Sequence, residues 1–358
     1  MAAQGDHRKL RPRQVAVGMA LVVALGLAWG APAAGQGMPV LDVVIGNNFG
    51  HLPIFVGVDK GLFRQHGVDV RLKVVNTGTD MVNAMQKREV QIGDMSVTTF
   101  LKARHRGDAF TAIALIMNDA TTANADEPLA IVARKGSGIR PGVVEDLKGK
   151  RIGLAKEQTS DEYLKMVLNR RGMKYEDVTI ENIMAPPALG PALAQGKVDA
   201  VVSWEPYNVM AMEKASESYV VLRGGGHLSY IMLASVHDPM LRQSPQVVQN
   251  FVTGLVAASQ ATRKNRAEAV EIFAKWVPNV DLGVAKKAIQ HIHYDPRISK
   301  ASLRAFENAQ DDILKLTIKD APKRLAINEV VLSQFVEAAQ KAHPEYFSDL
   351  PPLPPDAR

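Results

Sequence analysis

Beyond residue 39 the chain alternates short apolar runs with amphipathic stretches, and most apolar runs end in Asn, Gly, Thr, Asp or Ser. Val40–Gly46 reads as a buried strand that breaks in the loop 47–53. A helix then runs to Lys60, with Gly stops at Gly61 and Gly67. Val68–Val75 alternates as a strand and turns through Asn76-Thr77-Gly78-Thr79-Asp80 into a helix over Met81–Arg88. Strand Val90–Asp94, a helix reaching Arg106 and strand Ala109–Met117 complete this first run.

A second run begins with strand Pro128–Arg134 and a helical turn leading into a strand that ends at Leu154. The loop 155–160 opens a helix to Arg171, with Thr159 or Ser160 as its expected N-cap. Strand Val178–Met184 is followed by a short helix Pro191–Gln195, a stop at Gly196, strand Val198–Ser203 and an abrupt end at Trp204-Glu205-Pro206. Tyr230–Val236 is a last strand. Helices are predicted over Pro245–Lys264, Arg266–Val277, Val284–His291, Lys300–Leu316 and Asn328–His343, and the Pro-rich tail 351–358 is expected to be disordered.

This order predicts an α/β protein with mixed, mainly parallel sheets and a helical C-terminal part. The helix-turn-strand unit that ends at Trp204 repeats an earlier one, 83–96, with Val90 aligned on Val198. Two such units imply two hinged lobes, 39–128 plus 229–345 and 129–228, with a ligand cleft between them. In such sheets ligands sit beyond the carboxyl ends of the strands, which directs attention to the loops.

Composition adds a location. Residues 1–33 hold Arg8, Lys9, Arg11 and Arg13, then the mostly apolar stretch Val15–Ala28, then Ala31-Pro32-Ala33. That is the layout of a cleaved signal peptide, and its apolar run is shorter than the ~20 residues needed to span a bilayer. The formal charge of the whole chain is +6; without the leader, 39 basic and 36 acidic residues remain. So small a balance, without a Lys/Arg stripe, gives no support to nucleic-acid binding. The absence of cysteine excludes disulfides, thiolate metal sites, cysteine nucleophiles and a lipidated N-terminal cysteine. A periplasmic, monomeric protein is expected.

Phosphate-loop, zinc-protease, nucleophile-elbow and dinucleotide motifs are absent. His291-Ile292-His293 offers two imidazoles without an evident third ligand, and reads as a solvated helix end; neither a metal nor a cofactor is expected. Asp94 and Asp119 end strands and suit an acid–base pair, a ligand contact or a hinge ion pair. The loops 76–80 and 157–160 each precede a helix, whose free N–H groups attract anions, with hydroxyls from Thr77, Thr79, Thr159 and Ser160 alongside. Ordinary capping is the competing use of these hydroxyls. Trp204 and Phe49 offer aromatic surface, and Glu205 favours an organic or zwitterionic ligand over a purely anionic one.

These residues resemble the nitrate/sulfonate/taurine type of periplasmic substrate-binding protein of ATP-driven importers, a group that includes pyrimidine-precursor binders. The likeness rests on Gly50-His51-Leu52-Pro53, Gly61-Leu62-Phe63, Asn76-Thr77-Gly78-Thr79, the stretch 146–153, the stretch 193–200 and Trp204-Glu205-Pro206-Tyr207. It implies a two-lobed fold that closes on its ligand and presents it to a membrane permease. The Trp-Asp-Pro-Tyr-like end of alkanesulfonate binders maps onto Trp204 and Glu205. Enzymes of the same fold, a sulfinate desulfinase and a thiamine-pyrimidine synthase, rely on cysteine, which this chain lacks. The expected ligand contacts are Asn48, Phe49, His51, Asn76, Thr77, Gly78, Thr79, Ser96, Thr98, Asp119, Gln158, Thr159, Ser160, Trp204 and Glu205. The expected ligand is a small organic anion or zwitterion, such as an alkanesulfonate or aromatic acid. A secreted lyase or hydrolase, and a ligand-sensing domain for a membrane receptor, are the alternatives.

Overall fold

The computed structural model describes residues 37–123, 125–278, 280–316 and 323–358; the leader expected over 1–33 lies outside them. Met38–Arg358 form one compact unit. In chain order its strands are β1 (Val40–Gly46), β2 (Asp69–Val75), β3 (Ile92–Ser96), β4 (Phe110–Leu115), β5 (Leu129–Ala133), β6 (Arg151–Leu154), β7 (Thr179–Asn182), β8 (Ala200–Trp204), β9 (Tyr219–Arg223) and β10 (Met232–His237). They build two sheets of five, ordered β2-β1-β3-β10-β4 and β7-β6-β8-β5-β9. Every residue of the central strands β3, β5 and β8 is buried, and so is every residue of the edge strand β4.

In each sheet two pairings are parallel and two antiparallel, so the mix is even rather than mainly parallel. The cause is one strand per sheet, β10 in the first and β5 in the second, that runs against both its neighbours. One buried cluster continues from Val43 and Ile45 of β1 to Leu129 and Ile131 of β5 and Val202 of β8. Each such side chain contributes roughly 1.5–3 kcal/mol on leaving water.

The repeated unit is real in three dimensions. The helices Gly78–Gln86 and Leu189–Ala194 each end in a left-handed residue, Arg88 at φ 57° and Gly196 at φ 68°, and each leads through a buried valine, Val90 or Val198, into a central strand. Both helices begin earlier than the pattern predicts, and both strands end later. Ser96 and Trp204 are therefore the equivalent last residues of β3 and β8.

Three expectations are corrected and two elements are added. The predicted helix Asn328–His343 is two pieces, Ile327–Val330 and Gln334–Ala342, because Val331 bridges Ala112 and the Leu332 N–H donates to the Ala112 carbonyl, covering the β4 edge. The helix Thr159–Arg170 has Gln158 at its N-cap with no side-chain capping bond, so neither Thr159 nor Ser160 caps it. The helix Tyr207–Lys214 and strand β9 were not anticipated. The tail 351–358, expected to be disordered, packs through a fully buried Ala357 and an Arg304 contact to the Asp356 carbonyl.

Asp199, just before β8, ties the second sheet together. Its carboxylate accepts from Arg134 Nη2 at 2.6 Å and from Arg151 N, Nε and Nη2 at 3.0, 3.2 and 3.1 Å. Burial opposes ionisation, yet the Arg151 guanidinium, the Arg151 N–H and Arg134 together hold the carboxyl well below its ordinary 3.8. Asp199→Asn is expected to cost about 1–3 kcal/mol at neutral pH in denaturant titration. Because the folded pKa is depressed, this contribution is present above pH 3.8 and is lost as pH falls further, so wild type and variant should converge in acid.

Candidate functional site

Each candidate loop is shaped by local capping before it meets another. After β1, the Asn48 side chain accepts from Gly50 N at 2.8 Å and starts the short turn Phe49–His51, which continues into the helix Leu52–Asp59. After β2, Thr77 accepts from Asp80 N at 3.2 Å and caps the helix Gly78–Gln86. After β3, Ser96 accepts from Thr99 N at 3.3 Å and caps the helix Val97–His105. These are the side-chain caps that helix N-termini ordinarily need.

The loops converge on a small cavity of about 30 Å³, lined by Asn48, His51, Asn76, Gly78, Met81, Ser96, Thr99, Gln158, Thr159, Trp204, Tyr230 and Met232. The equivalent strand ends Ser96 and Trp204 both reach it. Contacts from the second sheet to the first close around it. Gly78 N donates to Gln158 Oε1 at 3.1 Å, Gln158 Nε2 donates to Thr79 Oγ1 at 3.1 Å, and Thr159 Oγ1 lies 3.1 Å from Ser96 Oγ and 3.3 Å from Thr98 Oγ1. The first donor of the Gly78 helix is thus occupied by a side-chain carbonyl in the place where an anionic ligand would bind. Lys102 on the Val97–His105 helix also reaches across, 2.7 Å from Glu162.

Three buried polar atoms at this place have no hydrogen-bond partner: His51 Nε2, Trp204 Nε1 and Asp94 Oδ1. His51 Nδ1 lies 2.7 Å from Asp94 Oδ2, and both side chains are fully buried. Burial pushes the Asp94 carboxyl up, and His51 pulls it down. With Nδ1 donating to Asp94, Nε2 accepts when the ring is neutral and donates when it is protonated. Tyr230, 4% exposed, makes no hydrogen bond through its hydroxyl among the described residues, and burial followed by the Asp94 charge raises its pKa.

Asn48, His51, Asn76, Gly78, Ser96, Gln158, Thr159 and Trp204 are brought together at this cavity, with Thr79 and Thr98 bonded to its edge. Thr77 works as a cap, and Ser160 turns back to the Ala155 carbonyl at 3.5 Å. Phe49 does not line this cavity: its ring is fully buried and packs 4.6 Å from that of Phe273. Glu205 is not free to meet a cation, because Arg223 Nη1 lies 2.7 Å from its Oε1 and Val209 N donates to its Oε2.

Asp119 lies at a second, larger cavity of about 290 Å³, lined also by Met117, Asp126, Glu127, Pro128, Arg223, Gly224–Gly226 and His293. Tyr230 lines both cavities. His291 faces Glu127 at 2.8 Å, and among the described residues no group of three or more His, Cys, Asp or Glu is placed to hold a metal. No described helix is long and apolar enough to cross a membrane. Sequence reading missed Met81, Thr99, Tyr230 and Met232. A Ser-x-x-Thr spacing marks Thr99, whereas Tyr230 and Met232 lie more than a hundred residues beyond the first-sheet loops they join and leave no local signal.

Two mixed five-stranded sheets with loops converging from both are the architecture of the periplasmic binding proteins. The alkanesulfonate-binding protein SsuA from Xanthomonas axonopodis pv. citri bound to MOPS matches with a TM-score of 0.70 at 18% identity, over 84% of this chain and 99% of that one. The periplasmic nitrate-binding protein NrtA from Synechocystis PCC 6803 matches with a TM-score of 0.68 at 12% identity, over 88% and 90%. The chain belongs to the NMT1/THI5 like family, whose sequence model matches residues 48–269. A relative in Saccharomyces cerevisiae, 4-amino-5-hydroxymethyl-2-methylpyrimidine phosphate synthase THI13, is 23% identical over 257 residues, 68% of this chain and 72% of its own length.

Proposed function

We propose that this chain is the solute-binding component of an ATP-driven importer, exported to the periplasm, where it binds a small organic anion or zwitterion without changing it. Two lobes would close about the hinge on the ligand and present their joined surface to a membrane permease. The observation that carries this reading is the cavity on which strand ends from both sheets converge, with the N–H of Trp204 and the Nε2 of His51 buried there without partners. A ligand shifts an open–closed equilibrium only by touching both sides, and this cavity is lined from both. The likeness to sulfonate- and nitrate-binding proteins supports it.

A thermal-shift panel of sulfonates, nitrate, aromatic acids and pyrimidines on the full chain should find a stabiliser, worth roughly 2.7 kcal/mol at a hundred times its Kd. No shift from any member would sink the reading. With the stabiliser found, Trp204→Phe should weaken its binding about threefold to tenfold, the loss of one hydrogen bond. The empty protein should lose less than the complex, because removal of an unpartnered buried donor offsets part of the cost of the smaller ring.

One observation favours a second reading, an enzyme. His51 backed by Asp94 at 2.7 Å, with a free Nε2 facing a cavity beside Tyr230, is a geometry suited to a general base. The synthase among the relatives keeps this reading in view. Incubating the stabiliser with the protein and analysing it by mass spectrometry separates the two: an unchanged ligand supports binding, and a product supports the enzyme.

A further inference from the structure

We propose that the larger cavity is a subsite for an amino-acid-like zwitterion, its acidic group held by Arg223 and its ammonium by Asp119; this rests on the solute-binding reading. The small cavity of about 30 Å³ has room for one or two polar atoms, whereas the neighbouring 290 Å³ takes a molecule of amino-acid size. The polar groups around the larger cavity divide into those already occupied and those left for a ligand. Asp126 is occupied, accepting from Gly226 N, His227 N and Leu228 N at 2.9, 2.7 and 3.1 Å. Glu127 faces His291.

Asp119 is half occupied. Its Oδ1 accepts from Thr121 N at 2.9 Å and Thr121 Oγ1 at 2.6 Å, and its Oδ2 has no hydrogen bond among the described residues. Arg223 is half occupied too. Its Nη1 serves Glu205 Oε1 at 2.7 Å and the Glu127 carbonyl at 3.2 Å, and its Nε and Nη2 have no hydrogen bond among the described residues. Nε and Nη2 form the edge of a guanidinium that grips a carboxylate with two parallel bonds. Tyr230, nine-tenths buried and with an unbonded hydroxyl, adds a third group for the ligand.

Charge decides against a simple acid. Asp119, Asp126, Glu127 and the Arg223-paired Glu205 surround a single guanidinium, so an anion alone meets a carboxylate surplus that an ammonium on the same molecule relieves. The triple glycine forms one wall of the cavity in a backbone conformation that side chains strain. Gly224, Gly225 and Gly226 have φ of 53°, 98° and 68°, and a Cβ on Gly225 would fall 2.8 Å from the His227 ring.

The test compares L-leucine with 4-methylpentanoate and L-phenylalanine with 3-phenylpropionate, by calorimetry on the wild-type full chain and on Asp119→Asn. At least one amino acid should bind tenfold or more tighter than its des-amino partner, and Asp119→Asn should abolish that preference. Equal binding within both pairs, or a preference that survives in Asp119→Asn, overturns the assignment. If neither pair binds while a sulfonate or nitrate does, the assignment falls and the solute-binding reading stands; if no compound of either panel binds, both fall. The wild-type comparison needs no variant, so a misfolded Asp119→Asn does not remove the test.

Discussion

Phe49→Ala is expected to lower stability by about 3–5 kcal/mol, the range for removing a fully packed aromatic from a core. The ring has no exposed surface, lies 4.6 Å from Phe273, and through Phe273 joins Phe55 at 5.7 Å. These contacts fasten the turn after β1 to the helix Arg266–Trp276, so the truncation opens a cavity between two elements far apart in sequence. The denaturation midpoint should fall while the m-value stays unchanged. A loss below about 1 kcal/mol together with a large loss of ligand affinity would return Phe49 to the ligand-clamp role that its place beside Asn48 and His51 first suggested.

Arg223→Met should be nearly as damaging at neutral pH, about 3–5 kcal/mol, because it leaves the Glu205 carboxylate buried without a counter-charge. Burial already pushes Glu205 up from its ordinary 4.5, and Arg223 is the main force pulling it back. Without Arg223 the folded chain keeps a proton that the unfolded chain releases. Stability of the variant should therefore fall as pH rises from 4.5 through the raised folded value, and the deficit should be smallest below pH 4.5. Arg223→Met combined with Glu205→Gln should recover most of the loss, since the penalty belongs to the orphaned charge rather than to the missing pair. A deficit that neither acid nor the second substitution relieves would show that Arg223 acts through packing alone.

Much of the fold is legible in the chain because it rests on short-range chemistry. The run Val40–Gly46 is β1 residue for residue, the helix Lys300–Leu316 has the predicted bounds, and Gly61 and Gly196 adopt the left-handed conformation that stops a helix. The repeat was visible as Val90 aligned on Val198. Its deeper consequence, that Ser96 and Trp204 are equivalent strand ends at one cavity, was not, because local propensity leaves element ends uncertain by a few residues. The break at Val331 was equally hidden: the sequence there suits a helix, and only the uncovered edge of β4 offers its backbone a better partner.

The candidate site divides the same way. Residue type and position next to a strand end select Asn48, Ser96, Gln158, Thr159 and Trp204, since polar loops at the carboxyl ends of strands are where such sheets bind, and the family resemblance adds His51. Which polar groups remain available was beyond the sequence. Whether Glu205 is free depends on Arg223, whether the Gly78 N–H is free depends on Gln158, and whether Phe49 faces ligand or core depends on Phe273. The sequence by itself determined the alternation of strands and helices, the repeat and the loops that carry polar chemistry, because each follows from a residue and its near neighbours. Tertiary structure alone decided which of those polar atoms are already satisfied, because hydrogen bonds and ion pairs in a buried site are closed by partners on other elements, well outside the reach of local sequence pattern.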